Sequence, residues 1–198
     1  MDDFIAEFRG NVPVGTCQGL IALFNEAHKR KLTHSGRTGK VEDKARKDST
    51  DLSSVKIPDK LRSKYGEHID AYLDRLMEAY QIYQDRYPIL KHPKTWAHGV
   101  YEFNIQRYYP GGQAYHAWHY ESAYPEVMDR VLAWMTYLTT VEKGGETEFQ
   151  YLDVMAKPEQ GKTLIWPAGF THTHRGRPAP DEVKFIITGW FCFAPRPR

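Results

Sequence analysis

The sequence predicts an α+β protein with a mainly β core, a jelly-roll (double-stranded β-helix) barrel whose N-terminal helices pack on one sheet. Three observations predict it. Residues 1–95 carry two apolar patterns at helical spacing, and residues 96–198 carry short runs rich in β-branched and aromatic residues. Turn signals divide those runs at Pro110-Gly111-Gly112, at Gly144-Gly145 and at Pro178–Asp181. Helices first and strands afterwards is the order of a barrel with helices outside it, not of alternating βαβ units. A chain of 198 residues is long enough to bury one proper core, so residues 1–198 are expected to form a single domain. Residues 1–95 are expected to be the helical support and residues 96–198 the barrel core. No internal repeat is visible.

Taken in order, Thr16 to Lys31 reads as an amphipathic helix with Leu20, Leu23, Phe24 and Ala27 on one stripe. Residues 33–56 are polar with hardly an apolar anchor, too long for an ordinary connection, which suggests a mobile or functional loop able to act as a lid. Pro58 and Asp59 open a long helix to about Tyr87, with Leu61, Ile69, Tyr72, Leu76, Tyr80 and Tyr83 at helical spacing. Strands are expected at Val100–Tyr109, Val131–Val141, Thr163–Trp166 and Val183–Phe193. The tail Ala194-Pro-Arg-Pro-Arg reads as a frayed basic end.

Composition narrows the function classes. The net charge is +2, from 27 basic and 25 acidic residues, which argues for no nucleic acid and no anionic membrane as partner. No stretch approaches a membrane span, and Met1-Asp2-Asp3 does not begin a signal peptide. The two cysteines, Cys17 and Cys192, make neither a disulfide scaffold nor a metal knuckle. The expectation is a soluble protein of a reducing compartment such as the cytoplasm.

The chemistry gathers around His119-Tyr120-Glu121. In extended backbone residues two apart share a side, so this imidazole and this carboxylate face the same way. A histidine from elsewhere would complete two histidines and one carboxylate on one face of an octahedral metal, the facial triad of non-haem iron oxygenases. Spacing alone offers both His172 and His174 for that place. In the last strand, alternation sets Lys184, Ile186, Thr188 and Trp190 against the apolar Val183, Phe185, Ile187 and Phe191. With the apolar face on the helices, Lys184 points into the barrel, and a buried ammonium needs an anion. Tyr137 offers a hydroxyl to the same anion.

Five segments make the second half resemble the prolyl 4-hydroxylase-type branch of Fe(II)/2-oxoglutarate-dependent dioxygenases. They are Tyr108-Tyr-Pro-Gly-Gly-Gln-Ala-Tyr, His119-Tyr-Glu, Tyr137-Leu-Thr, Gly144-Gly-Glu-Thr-Glu-Phe, and His174-Arg-Gly-Arg-Pro continuing through Lys184 to Trp190. The resemblance implies His119, Glu121 and His174 as iron ligands, His174 being preferred because the family's anchoring cation follows the distal histidine by nine or ten residues. It implies Lys184 on the distal carboxylate of 2-oxoglutarate, aided by Tyr137 and Thr188, with Tyr109 near the co-substrate and Trp166 and Trp190 walling the pocket. Fe(II), 2-oxoglutarate and O2 are the implied cofactors, with ascorbate as accessory reductant. The implied reaction hydroxylates an unactivated C–H bond, a prolyl residue of a peptide or protein before others, as 2-oxoglutarate is decarboxylated to succinate. One departure stands out: the family usually has Asp where this chain has Glu121. The extra methylene shifts the ion or favours one-oxygen coordination, while the presence of a carboxylate argues for hydroxylation over halogenation.

Rival readings are an oxygenase acting on a free amino acid or a nucleobase, a cupin-like metal enzyme, and a non-catalytic cupin-like binding protein. The nucleobase reading lacks a basic stacking face, and the cupin-like metal enzyme leaves Lys184 without a purpose. The non-catalytic reading predicts no metal-dependent succinate formation and binding that tolerates His119→Ala.

Overall fold

The computed structural model describes residues 2–39 and 41–194; the acidic start at Met1 and the tail beyond Ala194 lie in part outside them. In chain order the regular elements are β1 (Ala6–Phe8), α1 (Val14–Lys29), β2 (His34–Ser35), β3 (Thr50–Ser53) and α2 (Asp59–Arg86). There follow β4 (His98–Gly99), β5 (Phe103–Tyr108), β6 (Arg130–Tyr137), β7 (Thr147–Phe149), β8 (Met155–Ala156), β9 (Thr163–Pro167), β10 (His174–Gly176) and β11 (Lys184–Phe193). The large sheet runs β1-β9-β6-β11-β5-β3-β2, with β4 on the end of β11, and the small sheet runs β10-β7-β8. Every pairing is antiparallel. Two antiparallel sheets facing one another, with helices outside the larger, are the expected jelly roll.

The helices form where their sequence leaves one apolar stripe. α1 buries Cys17, Leu20, Leu23, Phe24 and Ala27 and ends with Lys29, a cation suited to the negative end of the helix dipole. α2 begins after Pro58, which presets the entry angle, and stops before Pro88, which cannot continue it. Its buried side chains include Leu61, Ile69, Tyr72, Leu76, Tyr80 and Tyr83. The tyrosines expected to pack on a sheet do so: Tyr80 stacks on Phe191 with ring centroids 4.0 Å apart, and Tyr72 meets Trp134 at 5.9 Å. Tyr72 also ends in a buried polar string, its hydroxyl 3.1 Å from that of Thr136 and Thr136 2.7 Å from that of Thr163. Each hydroxyl has a partner, so none is desolvated without compensation.

β11 is the central strand, paired on one side with β6 and on the other with β5. Phe185, Ile187 and Phe191 join the core under the helices, where Phe24 meets Phe185 edge-on at 5.3 Å. Lys184, Ile186, Thr188 and Trp190 line the barrel interior. Gly189 lies opposite Trp134, and any side chain there would strike the indole.

The polar stretch 33–56 departs from expectation. It contains β2 and β3, and β3 pairs with β5 as part of the large sheet, with Leu52 fully buried as its apolar anchor. Lys47 and Asp51, buried and 2.6 Å apart, replace the apolar contacts that the sequence lacks. Ser49 donates a further hydrogen bond of 2.7 Å to the same carboxylate. A buried ion pair looks, in sequence, like solvated polarity.

Phe191→Ala removes a fully buried ring from the helix–sheet interface. It should cost about 3–5 kcal/mol, read as a shift of the urea unfolding midpoint.

Candidate active site

His119 and His174 face each other across a backbone bridge, each N–H donating to the other's carbonyl, at 3.0 and 2.9 Å. Residues 119–121 are extended without belonging to a named strand, and alternation still turns His119 and Glu121 the same way. The Nε2 atoms of His119 and His174 lie 3.8 and 3.4 Å from Oε1 of Glu121. Among the described residues this is the one cluster of His, Cys, Asp or Glu whose donor atoms converge, all within 4.8 Å. Two imidazole nitrogens and a carboxylate oxygen at such separations can be bridged by a single divalent ion.

The backbone presets both rings. Nδ1 of His119 lies 2.9 Å from the Ala117 carbonyl and Nδ1 of His174 lies 2.9 Å from the His172 carbonyl. A carbonyl only accepts, so each Nδ1 carries the proton and each Nε2 lone pair faces Glu121. Burial, with the second imidazole beside it, pushes His119 down to about 3, which keeps that ring neutral and ready to bind a cation. Tyr115 stacks flat on His119, centroids 3.6 Å apart and planes 7° from parallel. His172 is turned away, its Nε2 2.7 Å from the Asp3 carbonyl and its Nδ1 2.9 Å from the Thr171 hydroxyl. The geometry therefore joins His174, and not His172, to His119 and Glu121.

Glu121 is held by its other oxygen. Oε2 accepts a 2.7 Å hydrogen bond from the Trp190 indole and lies 3.6 Å from Arg130, whose guanidinium rests on the Trp190 ring at 3.5 Å. Arg130 also donates to the Glu121 carbonyl at 3.1 Å. Burial alone would raise this carboxyl, but His174, His119 and Arg130 around it outweigh burial and hold it well below the usual range. Oε1 is thus left to face the imidazoles.

Lys184 is 3% exposed and its ammonium donates to the Gly145 carbonyl at 3.1 Å, above the Tyr108 ring at 4.8 Å. Among the described residues no carboxylate lies within ion-pair distance of it. Burial pulls it down to about 8, against a smaller opposing pull from Glu146. It lines the same cavity of about 650 Å³ as His119, Glu121 and His174. The Gly144-Gly145 turn that supplies its carbonyl partner has φ +74° at both residues, the left-handed region that favours glycine.

The remaining sequence candidates separate. Trp166, Thr188 and Trp190 line the cavity, Trp166 edge-on to His174 at 5.0 Å and Thr188 donating to the Trp134 carbonyl at 2.8 Å. The Tyr137 hydroxyl is fully occupied, donating to the Ala156 carbonyl at 2.9 Å, accepting from the Thr147 N–H at 3.1 Å and lying 2.7 Å from the Thr147 hydroxyl. Tyr109 lies outside, half-exposed against Arg107 at 4.3 Å. The tyrosine beside the ammonium is Tyr108, its register partner across β5 and β11. Parity in β5 carried that signal: Phe103 and Ile105 belong to the helix side, so Tyr108 and not Tyr109 falls inward. Tyr115, Arg130 and the Lys47–Asp51 pair were not singled out in the sequence; their roles depend on contacts between distant segments.

The sequence signature of the 2OG-Fe(II) oxygenase superfamily matches residues 103–192. This stretch is a 2OG-Fe(II) oxygenase domain. Its metal is Fe(II) and its co-substrates are 2-oxoglutarate and O2, and the donor set and the buried ammonium fit them. No curated protein matches the chain in sequence. In structure it is similar to a viral collagen prolyl hydroxylase from Paramecium Bursaria Chlorella virus-1 in its 2OG complex, with TM-score 0.67, 22% identity and 97% of each chain covered. It is also similar to a Pseudomonas putida prolyl-4-hydroxylase, with TM-score 0.71, 15% identity, and 96% of this chain and 93% of that one covered. A Trichoplax adhaerens prolyl hydroxylase in complex with a hypoxia inducible factor peptide fragment matches with TM-score 0.71, 13% identity, and 96% and 84% coverage. The fold, helical half included, is therefore that of prolyl hydroxylases. No helix among the described residues is long and apolar enough to cross a membrane.

Trp190→Phe should weaken metal binding by about 10-fold, since it frees the second oxygen of Glu121. Glu121→Asp, too short to keep both the indole and the imidazole side, should do the same. Anaerobic Co(II) titration measures both.

Proposed function

We propose that the protein hydroxylates a prolyl residue of a peptide or protein, with His119, Glu121 and His174 holding Fe(II) and Lys184 gripping the distal carboxylate of 2-oxoglutarate. One observation carries the reading: a buried ammonium, without a carboxylate partner among the described residues, shares a cavity with two preset imidazoles and a carboxylate. A dicarboxylate keto acid satisfies the first while its keto-acid end reaches a metal held by the others. The prolyl target is supported by the likeness to prolyl hydroxylases over both halves of the chain. A peptide is favoured over a free amino acid because the cavity reaches the surface between residues 34–56 and 115–124, leaving room for chain on either side of a target residue.

When bound, iron supplies the coupling of O2 reduction to decarboxylation of the keto acid and oxygen transfer to substrate. The chain's own residues do the positioning. The Ala117 and His172 carbonyls fix the two imidazoles, Trp190 and Arg130 fix Glu121, and Tyr115 covers His119. Lys184 and the Tyr108 ring beneath it set the depth at which the co-substrate sits. Thr188 is placed on the same wall, and Trp166 closes the cavity against His174.

Under nitrogen, Fe(II) and 2-oxoglutarate should give the weak visible charge-transfer band of the chelate. His174→Ala should abolish it and His172→Ala should keep it; loss of the band in both or in neither would sink the ligand assignment.

Titration of that band also tests Lys184. The ammonium is cationic below about 8 and loses its proton above it, so 2-oxoglutarate affinity should fall as the pH rises past about 8. The fall should approach tenfold per pH unit. Lys184→Arg, which stays charged, should flatten the profile, and Lys184→Ala should weaken binding below about 8 and leave little dependence on pH.

A further inference from the structure

We infer that the peptide taken by this site is acidic beside its target residue, an inference that rests on the peptide reading above. The stretch 34–56, which forms one wall of the cavity, brings Arg37, Arg46 and Lys56 to its mouth, all three exposed. Among the described residues none of the three forms an ion pair. The other cation of this wall is spent, since Lys47 is buried against Asp51 at 2.6 Å. Opposing the three is one exposed carboxylate on the rim, Glu102.

The excess is local. The whole chain carries only +2, so the positive rim is a property of where these side chains stand and not of bulk composition. Charges of one sign around a concave, low-dielectric mouth reinforce one another and draw an oppositely charged ligand. A prolyl ring is neutral and gains nothing from them; its neighbours in the peptide would. Carboxylates on those neighbours complement the rim, while lysines there would meet like charge, which costs affinity and association rate. The rim therefore selects by flanking sequence, while the interior selects the residue that is oxidised.

The test uses the full chain with Fe(II) and 2-oxoglutarate under nitrogen, and fluorescein-labelled peptides of one length around a central proline. Their flanks are glutamate, glutamine or lysine, and each is also made with alanine for the proline. Anisotropy should rank glutamate over glutamine over lysine, with at least about tenfold between the extremes in dilute buffer and little left at about 1 M salt. The same ranking is expected for the alanine peptides. Arg46→Glu combined with Lys56→Glu should invert it while the melting temperature holds.

Equal binding of the three flanks, tighter binding of the lysine peptide, or a glutamate preference that ignores salt would overturn the inference, even where the double variant does not fold. Admission of air then judges the prolyl reading separately. Gain of one oxygen by the proline peptides alone, with matching succinate, supports it. Binding in the predicted order with no oxygen gained by any proline peptide overturns that reading and leaves the acidic preference standing.

Discussion

The alternation of a single strand organises this molecule. β11 has ten residues, and their period of two sends Phe185, Ile187 and Phe191 under the helices and Lys184, Ile186, Thr188 and Trp190 into the barrel. A slip of one residue would bury nothing useful on either face: the ammonium would enter the apolar layer and the phenylalanines would fill the cavity. The helices are therefore part of the active site in an energetic sense. Their apolar stripes hold the strand in the register that aims Lys184 and Trp190. Paired with β5 and β6 on its two sides, β11 passes that register to Tyr108 and Met135.

The polar groups inside are held by backbone more than by one another. Carbonyls orient His119, His174 and Lys184, and a second backbone link ties His119 to His174 directly. Such partners sit in backbone that is itself tied, Ala117 to Arg46, His172 to Gly169 and Gly145 to Pro178, and do not need to be ordered when ligands arrive. Glu121 is the exception. Its longer side chain is steadied by an indole N–H and a nearby guanidinium, both coming from other strands. The departure from the family's aspartate is thereby matched by a clamp of its own, with one oxygen left for the imidazoles.

Much of this was legible in the chain. The two helices, the four principal strands and the facing of β11 follow from apolar period, because burial on one side is what those elements share. His119 and Glu121 could be paired because they are close in sequence. What could not be read depends on partners far apart. Tyr115 over His119, Arg130 on Trp190 and the choice between His172 and His174 from residues alone are decided by how segments cross. The 33–56 stretch misled for a different reason. Its strand β3 has one fully buried apolar anchor, Leu52, and its buried polarity is satisfied by the Lys47–Asp51 pair, so composition suggested solvent where there is a cavity wall. Tyr109, which the resemblance implied near the co-substrate, falls on the outer side because the apolar alternation of β5 turns Tyr108 inward.

The large sheet closes with very little at its ends. Its outermost strands are β1, of three residues, and β2, of two. An unpaired strand edge is a template on which another chain can add, and its danger grows with length and flatness. Here the long, apolar strands β6 and β11 are interior to the sheet, where both of their edges are taken. The stubs outside them expose too few free backbone groups to seed growth. A barrel built to admit peptide chains is thus guarded against capturing them along its rim as extra strands, and against stacking with its own copies into fibres.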